Sequence, residues 1–91
     1  VTILTEDDWT NFKKLFEKVH HNFFIRLKEL HPDLTQAEIR LCALTKLNIS
    51  TREISNILGI SPESVRKCRW RLRKKLNIID ERTVDEVVLA L

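Results

Sequence analysis

Four times along the chain a Ser or Thr stands three positions ahead of an Asp or Glu: Thr5 with Asp8, Thr35 with Glu38, Ser50 with Glu53, and Thr83 with Glu86. Each pair marks a helix start. The hydroxyl accepts from an unpaired N–H of the first turn, the acid reaches back to the capping N–H, and its charge suits the positive end of the helix dipole. A fifth start is Ser61 before Pro62, because proline is tolerated at the first helical position, where its missing N–H costs nothing. With one Gly and two Pro in 91 residues, the chain lacks the turn residues that a multi-stranded sheet needs, so the fold expected is all-α. Stops before Pro32, at Asn48 and at Gly59 divide it into helices over 6–31, 36–47, 51–58, 62–76 and 83–90. A chain of this length buries one small core, which argues for a single domain and against a deep, enclosed active site.

Charge is distributed unevenly. Residues 62–76 hold Arg66, Lys67, Arg69, Arg71, Arg73, Lys74 and Lys75 against Glu63 alone, seven against one, or +6; the whole chain carries +3, so the remainder carries −3. A basic block confined to one helix of a mildly acidic domain points to a polyanionic partner touched at one place; the alternative is a solvated helix face.

The helix over 6–31 carries Trp9, Phe12, Phe16, Val19, Phe23, Leu27 and Leu30 at spacings of three or four, one stripe along about seven turns. Phe24 and Ile25 add apolar surface on other faces. The expectation is that the Trp9, Phe12, Phe16, Val19 half pairs with a second copy while Phe23, Phe24 and Ile25 dock on the domain itself. An ordinary core helix folded back on the bundle is the competing reading. On this division residues 1–33 form a dimerisation or linker segment and residues 34–91 the rest of the domain, whose last helix offers a second pairing face in Val84, Val87, Val88 and Leu91.

Between Ser50 and Leu76 the chain reads as a helix-turn-helix: a short helix, then Gly59-Ile60-Ser61, then the basic helix. Gly59 supplies the left-handed residue, Ile60 an apolar plug, and Ser61 the next cap. Ile54, Ile57 and Leu58 are expected to face inward on the first helix. On the second, Val65, Cys68, Leu72 and Leu76 share a narrow arc that leaves Glu63, Arg66, Lys67, Trp70 and Lys74 on the opposite face. Apolar anchoring behind and hydrogen-bond donors in front are what a helix lying in the major groove requires.

Leu34-Thr35 with Glu38, Ser50, Glu53-Ile54, Leu58, Ile60-Ser61, Ser64-Val65 and Lys75-Leu76 resemble the LuxR-type (GerE-like) DNA-binding domain of bacterial transcription regulators, over about residues 34–78. Departures are Asn48 where the family usually has Gly, Ser55 for Ala, Ser64 for Thr, and Cys68 where His is common; Asn also adopts left-handed conformations. Val19-His20 through Phe23-Phe24 and His31-Pro32-Asp33 look like the segment ahead of this module in regulators where it ends a larger sensory or repeat-containing chain. The resemblance implies a homodimer on double-stranded DNA, with Arg66, Lys67 and Trp70 facing bases, Ser64 and Lys74 facing the backbone, and the last helix at a dimer contact. Arg71 and Arg73 complete the cationic set expected at the duplex. Trp70 either meets sugar or a thymine methyl or covers neighbouring Arg stems. Arg69 lies at the edge of the inward arc, so its head is expected on a carboxylate, Glu38 or Glu53, or else on a phosphate.

Other chemistry has little support. Cys42 and Cys68 lack the paired spacing of a zinc site and read as buried structural thiols suited to a reducing cytoplasm. His20, His21 and His31 lack the i, i+4 pairing of a helical metal site, and no Gly-rich phosphate loop, nucleophile elbow or catalytic carboxylate pair occurs. The expectation is therefore a non-enzymatic domain with no cofactor, metal or small-molecule ligand. The absent initiator Met predicts an excised piece, with any sensor or anchor ahead of Val1; no apolar run is long enough to cross a membrane. Two other functions fit parts of the pattern: promoter binding by a sigma factor's region four, which uses similar helix-turn-helix wording, and a helical dimerisation or adaptor module whose basic helix binds an acidic protein.

Overall fold

The computed structural model describes residue 3 and residues 5–91, and among them it holds six helices and no strand. They are α1 (Glu6–Val19), α2 (Phe23–Leu30), α3 (Gln36–Lys46), α4 (Thr51–Leu58), α5 (Pro62–Lys75) and α6 (Val84–Leu89). Local capping chemistry places nearly every start. Thr5, Thr35 and Thr83 form full capping boxes with Asp8, Glu38 and Glu86. Ser50 accepts from the Glu53 N–H and Ser61 from the Ser64 N–H, each through the hydroxyl alone. Asn48 (φ 61°) and Gly59 (φ 68°) are left-handed, and so is Asn77 (φ 57°), which ends α5. Asn77 was not expected in this role.

The single long helix over 6–31 is corrected to two. His20 leaves helical geometry (φ −121°, ψ 60°), and Asn22 opens α2 without a side-chain cap. His20, His21 and Asn22 are all modest helix formers, so the break costs little locally. The return is aromatic packing: Phe16 meets Phe23 at 5.3 Å and Phe24 at 5.1 Å, and Phe24 meets Trp9 edge-on at 5.8 Å. On an unbroken helix Trp9 and Phe24 would stand about 22 Å apart.

That fold-back also corrects the first pairing surface. Trp9 and Phe16 are buried in the chain's own core, and Phe12 is half-buried and stacked on Trp9 at 5.6 Å; of the expected stripe only Val19, 72% exposed, stands clear. The second surface is corrected too, since Val84 and Val88 are buried and Val87 and Leu91 pack against the same core. Ile25, expected to dock, is exposed, because the turn at 20–22 rotates Phe23 and Leu27 inward instead.

The core is built around α3, whose Leu41, Cys42, Ala43 and Leu44 are buried while α5 and α6 pack on it. α4 packs across α5. Ile3 is buried, and its N–H donates to the Ile57 carbonyl at 2.8 Å, tying the start of the chain to α4. Ile54 is fully buried, with Ile57 and Leu58 half-buried. Ile60 is not the expected plug. It is 42% exposed, its N–H closes back on the Ser55 carbonyl, and Ile54 and Val65 are the residues buried where the two helices meet. Lys46 Nζ caps the far end of α6 through the Leu89 carbonyl at 2.8 Å. No helix among the described residues is long and apolar enough to cross a membrane.

Candidate nucleic-acid interface

Ser61 and Pro62 start α5 one short turn after α4, so the basic helix is seated directly on the core. Val65, Cys68, Leu72 and Leu76 are all buried, as their shared arc requires. On the opposite side Glu63, Arg66, Lys67, Trp70 and Lys74 are exposed, and Ser64 and Arg71 are exposed on the flanks. Trp70, 61% exposed, carries the Lys74 ammonium 3.8 Å above its ring. A cation over the face of an indole is held by the ring quadrupole, so Trp70 and Lys74 form one amphipathic unit on this surface. Ser61 Oγ donates to Ser64 Oγ at 2.9 Å, which leaves the Ser64 hydroxyl proton available to an acceptor outside the protein.

Three cations of the block are engaged within the fold. Arg69 pairs with Asp85 of α6, not with Glu38 or Glu53. The reason is tertiary: the loop after Asn77 turns α6 back across α5 and delivers Asp85 to the edge where Arg69 lies. Arg73, expected at the duplex, instead donates to the Asp80 and Arg82 carbonyls at 2.6 and 2.5 Å and holds that loop closed. Lys75 donates to Glu38 Oε1 at 2.8 Å and to the Asp33 carbonyl at 3.2 Å. Arg66, Lys67, Arg71 and Lys74 remain exposed, and of these only Lys67 meets a carboxylate, Glu63, at a loose 3.8 Å. Such a surface pair contributes little.

The Lys75–Glu38 pair was missed at the sequence level, although a signal existed. At 100° per residue Arg69 and Lys75 flank Leu72 symmetrically, about 60° to either side, so both ammonium and guanidinium heads must find partners at the core's edge. Glu38 is only 1% exposed. Burial alone would raise its carboxyl, but hydrogen bonds from Lys75 and from the Thr35 N–H and side chain hold it below its usual value. Asp80, in the exposed loop, is likewise held low by the Arg82 guanidinium and N–H.

The two thiols are free and buried. Burial pushes Cys42 up to about 12, and it also raises Cys68 despite the nearby Arg71, so neither is a thiolate nucleophile at neutral pH. His20 and His31 cap α1 and α2, the His20 ring lying 4.9 Å from Phe16. Among the described residues no three His, Cys, Asp or Glu side chains are grouped to hold a metal ion. A second surface feature is an open apolar groove of about 330 Å³ between α1 and the α3–α4 side, with Leu15, Val19 and Leu47 on its lips and Phe12, Ile49 and Ile57 within. Comparison of the chain with protein-family models, with curated proteins and with solved structures finds no match.

Proposed function

We propose that the chain is a sequence-specific double-stranded DNA-binding domain, the output module of a bacterial transcription regulator, with α4, the turn at 59–61 and α5 acting as a LuxR-type helix-turn-helix. The observation that carries this reading is the division of α5 into a fully buried apolar arc and an exposed face bearing Arg66, Lys67, Trp70, Arg71 and Lys74. A helix about 10–12 Å across fits the width of the major groove, and its amino-terminal turns lead toward the base edges. Arg66 and Lys67 are then the base readers, Trp70 packs on sugar or a thymine methyl, and Ser64, Arg71 and Lys74 meet the backbone. Arg73 and Arg69 support the helix from within the protein. Fluorescence anisotropy of a labelled duplex, selected from a randomised pool and compared with a scrambled one over a salt series, tests the reading. Tighter binding to the selected duplex, weakening with salt, is the expected result; no duplex binding at low salt overturns it.

Two variants separate the roles on that face. Lys74→Ala should weaken selected and scrambled duplexes alike and lower the salt slope by about 0.9, the loss of one phosphate contact. Unchanged affinity for the scrambled duplex would remove Lys74 from the interface. Arg66→Ala or Lys67→Ala should instead lose discrimination, by about 1–3 kcal/mol for a good bidentate contact to a base. Full retention of discrimination by both variants would show that other side chains read the site.

The domain works as a pair in this reading, because one 14-residue helix reads too few base pairs to select a regulatory site. Trp9, Phe16, Val84 and Val88 serve the monomer's core, so we assign pairing to the exposed edge of α1, Leu15 (65% exposed) and Val19, beside the apolar groove. Leu15→Asp with Val19→Asp should give a folded monomer with steeply reduced affinity for a two-half-site duplex. Sedimentation of the parent chain as a monomer at high concentration would overturn the assignment.

A further inference from the structure

Glu63 is the one acid of the basic helix, at the second position of its first turn. Nine residues separate it from Leu72, two and a half turns, so it stands opposite the centre of the buried arc, in the middle of the basic face. Its position is not explained by capping. In α1, α3 and α6 an acid at the third helical position bonds its carboxylate back to the cap N–H, while Asp7 of α1 and Asp85 of α6, like Glu63, stand at the second position, where a negative charge suits the helix dipole without capping. In α5 the third position belongs to Ser64, whose N–H is satisfied by Ser61 Oγ, and Glu63 sits one residue earlier with its side chain in solvent. Among the described residues its one ionic neighbour is Lys67, one turn on, at 3.8 Å, too far for a hydrogen bond.

A carboxylate at the centre of a surface that approaches phosphates repels them and weakens binding to every duplex alike. The one feature of the major groove that compensates is an amino group: cytosine N4 and adenine N6 donate there, and a carboxylate, which only accepts, suits cytosine, whose edge offers no competing acceptor on that base. Resting on α5 entering the major groove, we propose that Glu63 is a specificity-determining residue. Its carboxylate accepts from the N4 amino group of a cytosine, and Lys67 donates to guanine O6 or N7 of the same or the adjoining pair. The cost in general affinity is exchanged for rejection of sites that lack that cytosine, so Glu63 discriminates by repulsion as well as by contact.

The test is selection from a randomised duplex pool by the wild-type chain, Glu63→Ala and Glu63→Gln, followed by anisotropy titration of the selected duplexes. Glu63→Ala should lose about tenfold of discrimination at one C·G pair and at no other, while binding scrambled duplex more tightly than wild type. Glu63→Gln should move the preference at that pair toward A·T, since an amide both donates to and accepts from adenine. Helicity and melting temperature should stay close to wild type in both, because the side chain is exposed and outside the cap and one exposed first-turn charge contributes little. Selection of the wild-type consensus with undiminished discrimination by both variants overturns this inference alone. A wild-type chain that binds duplex without any preference overturns it together with the reading on which it rests.

Discussion

Lys75→Met should cost the fold about 3 kcal/mol at neutral pH, the low end for breaking a buried ion pair because the Lys75 side chain is 30% exposed. The loss comes mostly from Glu38. Its carboxylate is buried and caps α3, so removing the ammonium leaves a charge that only the Thr35 N–H and its neighbours solvate. The pH dependence gives the mechanism a signature. In the wild type the folded carboxyl titrates below its usual 4.5. The pair's contribution is therefore fully present above the unfolded value and is lost as pH falls through the folded one. In Lys75→Met the Thr35 hydrogen bonds remain but burial acts with less opposition, so the carboxyl moves up from its wild-type position; the variant is penalised most at neutral pH, and its deficit against wild type shrinks on acidification. Urea denaturation followed by circular dichroism, at about pH 7 and about pH 4, measures both effects. A deficit that stays constant between the two would show that Lys75 acts through the packing of its methylene stem. Glu38→Gln combined with Lys75→Met should recover part of the loss, since the amide needs no counter-charge.

Leu72→Ala should destabilise the domain by roughly 2–5 kcal/mol, the range for truncating a leucine in a packed core. Leu72 is fully buried at the centre of the inward arc of α5, in the same cluster as Leu41, Leu44 and Ile54. For a chain near 100 residues each kcal/mol lowers the melting temperature by about 4–8 °C, so a fall of 10 °C or more is expected. The proposed DNA face lies on the other side of the helix. Below its melting temperature the variant should therefore keep the discrimination of the wild type, and the stability and binding effects should part on heating. A loss under about 0.5 kcal/mol would mean that α5 is not seated through this residue.

The helix starts with a side-chain cap were legible from sequence, because such a cap is a contract among four consecutive residues; the uncapped start of α2 after Asn22 was not. Thr5, Thr35, Ser50, Ser61 and Thr83 all cap the helices that follow them. The inward arc of α5 was legible for a related reason: periodicity at 3.6 records which side of one rigid element is apolar, whatever that side rests against. The same period misled at the amino terminus. Trp9, Phe16, Phe23 and Leu27 kept a helical stripe across a break, because two helices that fold onto each other and one continuous helix that faces a partner demand the same apolar residues. The His20–Asn22 turn became visible only once Phe24 was seen against Trp9.

The composition of α5 likewise showed seven cations without showing their tasks. Arg69 lies sixteen residues from Asp85, and Lys75 lies 37 from Glu38. The residues between them decide whether those partners meet, and no local pattern encodes the path of a loop. Capping chemistry, helical period and charge content therefore belonged to the sequence by itself, since each is settled within a few turns of one chain segment. The fold-back of α2, the burial of the pairing stripe, and the division of the basic block into internal ties and an exposed face were decided by tertiary structure. There the burial of distant side chains together outweighs any single local preference.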